Sequence, residues 1–77
     1  MKHERIWIDP KVMVGKPCIR GTRITVEHIL RELGRPVSVE ELLQQHPRLS
    51  REDILSAQEF AADYLAAETV ICGNAQP

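Results

Sequence analysis

The hydrophobic positions of this chain follow a period of two near its beginning and helical spacing from residue 25 onward. Isoleucine and tryptophan alternate over residues 5–9, which predicts a short strand that ends before Pro10. A second extended piece is predicted over residues 18–20, and residues 23–25 continue it after a turn. Because an isolated two-stranded ribbon is only marginally stable in water, we expect this ribbon to pack against helices or to pair with another subunit.

Three helices are predicted, over residues 26–33, from residue 38 to about 46 and from residue 50 to about 67. The residues that cap their first turns are Thr25, Ser38 and Ser50. The second and third caps also have an acidic residue three positions later, which predicts capping boxes: Ser38 with Glu41 and Ser50 with Asp53. In each helix the apolar residue before the cap has an apolar partner four positions into the helix: Ile24 with Ile29, Val37 with Leu42, and Leu49 with Ile54.

Helices of these lengths joined by tight turns predict a mainly α fold, a trihelical helix-turn-helix-like (homeodomain-like) domain with a short N-terminal β ribbon. We expect a single domain over residues 1–67, with the ribbon and a basic loop over 5–25 and the three helices over 26–67. Residues 68–77 are predicted to be a C-terminal tail. This tail is either a frayed terminus or a strand added to the sheet edge of a partner.

The charge of the chain is unevenly distributed, although the net charge is only -1. Up to residue 35 there are eight Lys and Arg against four acidic residues, and after it there are two against seven. Such asymmetry favours a polyanionic or acidic partner at the basic front, and solvated charged faces explain it equally well. With 77 residues and 43% hydrophobic content, the chain is expected to fold around a thin core.

The basic front contains a loop, residues 15–24, that combines turn-forming residues with three cations. Its shape is predicted to depend on Gly15, Pro17, Gly21 and Thr22. The residues predicted to contact nucleic acid are Lys16, Arg20 and Arg23 in this loop, and Arg51 and Gln58 on the third helix. Acidic residues at the start of that helix weaken it as a recognition surface. The alternative is that the loop cations pair with acids of the same chain, such as Glu27 or Asp9.

Nothing in the sequence predicts catalysis, a cofactor, a metal site or a small-molecule substrate. The three histidines are dispersed, and the two cysteines form no CxxC pair, which is typical of a protein in the reducing cytoplasm. Nearby cations are expected to lower the pKa of Cys18, but no His and acid arrangement completes a nucleophile, so Cys18 is interpreted as a packing residue. No apolar stretch approaches the ~20 residues that cross a bilayer, and no membrane association is predicted.

The motifs above resemble the bacterial domain-of-unknown-function family 433, over about residues 4–67. The segments that carry the resemblance are residues 6–9, 15–24, 26–33, 38–43 and 47–54. The resemblance implies a homeodomain-like trihelical fold and the role of antitoxin in a two-gene module. In that role the protein masks a PIN-like ribonuclease toxin encoded by the adjacent gene and represses their shared promoter.

We therefore expect a non-enzymatic, homodimeric, cytoplasmic regulator that binds DNA and a toxin protein. The alternative from a different class is a protein-interaction module that does not bind DNA. A third hypothesis, that the protein is an enzyme, depends on Cys18 alone as a possible nucleophile.

Overall fold

The computed structural model describes residues 3–67, and the predicted tail over residues 68–77 lies outside them. The elements follow one another as β1 (Ile6–Trp7), β2 (Cys18–Ile19), α1 (Val26–Leu33), α2 (Val39–Gln45) and α3 (Arg51–Ala66), with a 3-10 turn at Met13–Gly15 between the strands. The predicted mainly α fold, three helices behind a short antiparallel ribbon, is confirmed. None of the described helices is long and apolar enough to cross a membrane.

The ribbon is shorter than the sequence predicts. Ile6 pairs with Ile19 and Trp7 with Cys18, and a single bridge joins Cys18 to Thr25. The predicted strand over residues 5–9 ends at Trp7, and Ile8 is 58% exposed. A turn at Asp9 explains the early end, because its carboxylate accepts a hydrogen bond from the Lys11 N–H at 2.9 Å and competes with strand pairing.

Local hydrogen bonds start each helix at the predicted cap. The Thr25 hydroxyl oxygen accepts from the His28 N–H at 2.9 Å and begins α1. Ser38 begins α2 and Ser50 begins α3, each in a complete capping box. The box partners are Glu41 and Asp53, as predicted. These contacts satisfy amide groups that the first helical turn leaves without partners.

One core unites the ribbon and the helices. Three of its side chains have no exposed surface, those of Ile29 on α1, Leu42 on α2 and Ala57 on α3. The ribbon contributes Ile6 and Ile19 to the same cluster. Helix α1 packs against both other helices, and α3 also packs against β1. The ribbon therefore gains its stability from the helices of its own chain.

We predict that Ile29→Ala lowers the free energy of unfolding by about 3 kcal/mol, because it removes buried methyl groups and leaves a cavity at the centre of the core. Urea unfolding of the two proteins measures the difference. The control is Leu55→Ala on α3, whose side chain is 63% exposed and whose replacement is expected to change the same free energy by less than about 0.5 kcal/mol. Equal losses in the two variants would contradict this description of the core.

Candidate nucleic-acid interface

The turn that follows β2 is built around Gly21. Its φ of +82° lies in the left-handed region, which is strained for residues with a side chain. The Thr22 hydroxyl donates to the Ile19 carbonyl at 2.8 Å and accepts from the Ile24 N–H at 3.0 Å. Both bonds close the turn, so the chain reverses direction immediately after Arg20. Arg23 lies in the segment that leads from the turn to α1.

A second turn, at the other end of the basic loop, contains Gly15 with a φ of +79°. Met13 and Val14 before it also have positive φ, at 50° and 57°, an uncommon conformation for any residue other than glycine. The Pro17 carbonyl then accepts a hydrogen bond from the Val26 N–H at 2.9 Å. This bond holds the first part of the loop against the beginning of α1.

Three arginines surround the Gly21 turn. Arg48, in the turn between α2 and α3, donates from its guanidinium to the Gly21 carbonyl at 2.9 Å. Arg20 donates from Nε to the Glu4 carbonyl at 2.6 Å, and Arg23 has no hydrogen-bond partner among the described residues. All three residues are exposed. We call Arg20, Arg23 and Arg48 the arginine cluster.

Over residues 3–67, the arginine cluster differs from most other cations in having no carboxylate partner. Apart from Lys11, every other Lys or Arg within residues 3–67 is paired with a carboxylate. These pairs are Arg5 with Asp53, Lys16 and Arg31 with Glu27, Arg35 with Glu32, and Arg51 with Glu40. The positive charge of the arginine cluster is therefore not neutralised locally.

The five residues predicted to contact nucleic acid do not form one continuous surface patch of unpaired cations. Arg20 and Arg23 belong to the arginine cluster. Lys16 binds Glu27 at 3.1 Å, which is the pairing that the sequence raised as an alternative. Arg51, at the start of α3, is paired with Glu40, and Gln58 is exposed two turns further along the same helix. Both ion pairs are exposed to solvent, where such pairs contribute little to stability and exchange easily.

Sequence reasoning did not select Arg48 as a site residue. The sequence feature that could have indicated Arg48 is its position directly after Pro47, in the turn between two predicted helices. In a helix-turn-helix fold, residues of this turn lie close to the recognition helix. The hydrogen bond to Gly21 spans 27 positions of the chain. No local pattern reveals it.

A cleft of about 510 Å³ lies beside the arginine cluster. It is lined by Trp7, Val12, Gly21, Thr22, Arg23 and Arg48. The indole Nε1 of Trp7 is buried and makes no hydrogen bond within the described part of the chain. Trp7 is the single tryptophan of the sequence, so its fluorescence reports on this cleft.

Cys18 does not belong to the charged surface. Its side chain is buried, its thiol donates to the Lys16 carbonyl at 3.3 Å, and burial raises the pKa of the Cys18 thiol. The expectation that neighbouring cations lower this pKa is therefore wrong. The physical reason is orientation, because Cys18 faces the core while Arg20 and Arg23 extend into solvent.

This geometry defines a class of protein, a small helix-turn-helix-like domain in which the turn of the N-terminal ribbon contacts the turn between α2 and α3, with the arginine cluster contributed by both turns. Comparison with known sequences identifies the family. Residues 6–61 match the model of DUF433, described as a protein of unknown function, and the chain belongs to this family.

Two known proteins are similar to this chain. The crystal structure of a DUF433 member protein from Anabaena variabilis is 30% identical, with a TM-score of 0.75 over 82% of this chain. The chain spans 62% of the length of that protein. An uncharacterized protein of Archaeoglobus fulgidus is 61% identical over 28 residues, which are 36% of this chain and 78% of that protein.

The carboxylate of Glu27 supports a prediction on pH dependence. The hydrogen bond from Lys16, followed by that from Arg31, lowers the pKa of Glu27 below its usual value of 4.5. Its ion pairs therefore stabilise the folded state above that usual value, and the contribution is lost as the pH falls through the lowered pKa.

We predict that Lys16→Gln raises the pKa of Glu27 toward 4.5, because it removes the largest cause of the shift. Side-chain carboxyl NMR titration measures the change. Arg35→Gln serves as the control, since Arg35 pairs with Glu32 and should leave the Glu27 titration unchanged. An unchanged Glu27 pKa in Lys16→Gln would show that the pair does not form in solution.

Proposed function

We propose that this protein is a non-enzymatic, antitoxin-like regulator that binds DNA through the arginine cluster. The observation that carries the proposal is the hydrogen bond from Arg48 to the Gly21 carbonyl. It brings the turn before α3 against the ribbon turn, where Arg23 and Arg48 line one cleft and Arg20 directly precedes Gly21. None of these three exposed arginines has a carboxylate partner within residues 3–67. Guanidinium groups bind phosphate oxygens well, because their planar N–H groups match two oxygens at once.

The position of α3 relative to this surface supports DNA as the polyanion. Arg48 lies three positions before Arg51, the first residue of α3, so a backbone held by the arginine cluster would run past the beginning of that helix. Arg51 and Gln58 are seven positions apart, which is about two helical turns, and lie on the same face. Residues of these types make hydrogen bonds to base edges.

The acidic residues of α3 limit this contact to part of the helix. Glu52 and Glu59 are exposed near Arg51 and Gln58 and would repel phosphates. Arg51 also has to leave Glu40, an exchange between exposed groups that costs little. In this proposal the arginine cluster supplies most of the affinity and α3 contributes the smaller, base-dependent part.

The antitoxin role rests on the family resemblance and on two features of the helical part. A groove between α1 and α3 has a volume of about 510 Å³ and a largely apolar lining that includes Leu30, Phe60, Tyr64 and Leu65. Exposed acidic residues are numerous on α2 and α3. A basic, RNA-binding surface of a PIN-like toxin would complement these charges, and the groove offers an apolar anchor point for the toxin or for a second copy of the chain.

We predict that Arg23→Gln weakens binding to the DNA upstream of the protein's own gene and flattens the plot of log affinity against log salt by about one unit, because one phosphate contact is lost. Fluorescence anisotropy of labelled duplex over a series of salt concentrations measures both quantities. Trp7 fluorescence, followed in the same titration, reports whether the duplex reaches the neighbouring cleft.

The matched control is Arg35→Gln, which removes the same charge at the opposite end of α1, where Arg35 is paired with Glu32. Its salt dependence is expected to equal that of the unmodified protein. Binding without salt dependence, or an equal loss in the two variants, would contradict phosphate recognition by the arginine cluster. Absence of any DNA binding would favour the second candidate function below.

The second candidate is a protein-interaction module that does not bind DNA, and the apolar groove is the observation that favours it. Exposed apolar side chains gathered in one groove are typical of surfaces that another protein covers. Such a module would use the groove for its partner, and the arginine cluster would only be solvated.

We predict that Leu65→Asp disrupts association with the product of the neighbouring gene, or self-association, because it places a charge in the groove. Co-purification and sedimentation velocity measure the two associations. Leu55→Asp is the control, since Leu55 is similarly exposed on the same helix but does not line the groove. Unchanged association in Leu65→Asp would exclude the groove as the contact surface.

A further inference from the structure

Two histidines from different helices meet at the surface of the protein. His28 lies in the first turn of α1, and His46 is the residue that ends α2. Their Nε2 atoms are 3.3 Å apart, and the two rings meet edge to face with centroids 5.2 Å apart. The contact brings together two ring nitrogens from α1 and from the end of α2, and an imidazole nitrogen that carries no proton is a metal ligand.

The separation of the two nitrogens matches that of two imidazole ligands on one metal ion. Zinc binds histidine nitrogen at about 2.0–2.1 Å, and two such ligands in a tetrahedral site are about 3.3–3.4 Å apart. The ion would lie to one side of the line that joins the nitrogens.

We propose that His28 and His46 form a two-histidine site for a divalent transition metal ion such as Zn²⁺. Imidazole nitrogen is a ligand that suits zinc, copper and nickel rather than the hard cations magnesium and calcium. This inference is independent of the proposed DNA binding, because it rests on the geometry of the histidine pair alone.

The surroundings of the pair determine how strong the site is. It opens into a cleft of about 330 Å³ lined by Met13, Arg23, Ile24, Thr25, His28 and His46. The described residues contain no group of three or more His, Cys, Asp and Glu side chains arranged around a common point, so water or a second molecule completes the coordination. Arg23 adds a positive charge to the cleft and lowers the affinity for a cation.

Zn²⁺ titration of the full chain at neutral pH, in competition with a zinc-binding dye, tests this proposal. We expect saturable binding that weakens at least about tenfold in His28→Gln and in His46→Gln, because each variant loses one of two ligands. Arg23→Gln is expected to bind Zn²⁺ more tightly. Mg²⁺ is expected to give no comparable binding.

The matched control is His3→Gln, which removes the third histidine of the sequence. His3 contacts Asp63 at 2.9 Å and is remote in sequence from the pair. This variant is expected to bind Zn²⁺ like the unmodified protein. Thermal unfolding of each variant without metal separates a lost ligand from a lost fold.

A second measurement uses the unmodified protein and does not depend on any variant. Zn²⁺ is expected to shift the imidazole ¹⁵N signals of His28 and His46 and to leave those of His3 in place. Equal Zn²⁺ binding by the double variant His28→Gln/His46→Gln, loss of binding in the control variant, or unchanged signals of the pair would overturn the proposal. One ion per chain or one per two chains would support it equally, provided that both histidines are required.

Discussion

Burial of the ribbon's two isoleucines attaches the N-terminal ribbon to the three helices. Strands of two residues are too short to be stable alone, so Ile6 and Ile19 must enter the core formed by the helices. The bond from the Val26 N–H to the Pro17 carbonyl and the bridge between Cys18 and Thr25 then tie the ribbon to the start of α1. The charged turn is consequently held in one position on the helices.

That position gives the surface its charge, which the overall composition does not indicate. The net charge is -1, yet in the described part of the chain Arg5, Lys16, Arg31, Arg35 and Arg51 are each paired with a carboxylate, and the arginine cluster is not. A phosphate backbone responds to the local potential within about 10 Å rather than to net charge, because salt screens more distant charges. A slightly acidic protein can therefore present a surface suited to nucleic acid.

The proposed contacts use separate parts of the molecule. The arginine cluster lies around the Gly21 turn, and the apolar groove lies between α1 and the second half of α3. Helix α1 connects them, since Arg23 precedes its first turn and Leu30 faces the groove. A regulator that binds DNA and a protein partner requires such a separation, because occupation of one surface leaves the other accessible.

The starts of the helices could be predicted from the sequence, because the caps and capping boxes join residues only three positions apart. The sequence also identified the family and the glycine turns. The folded structure was needed to find the length of β1 and the inward orientation of Cys18. It also revealed the pairing of Arg51 with Glu40 across 11 positions and the hydrogen bond from Arg48 to Gly21 across 27. These features depend on packing between distant segments, which local patterns do not encode.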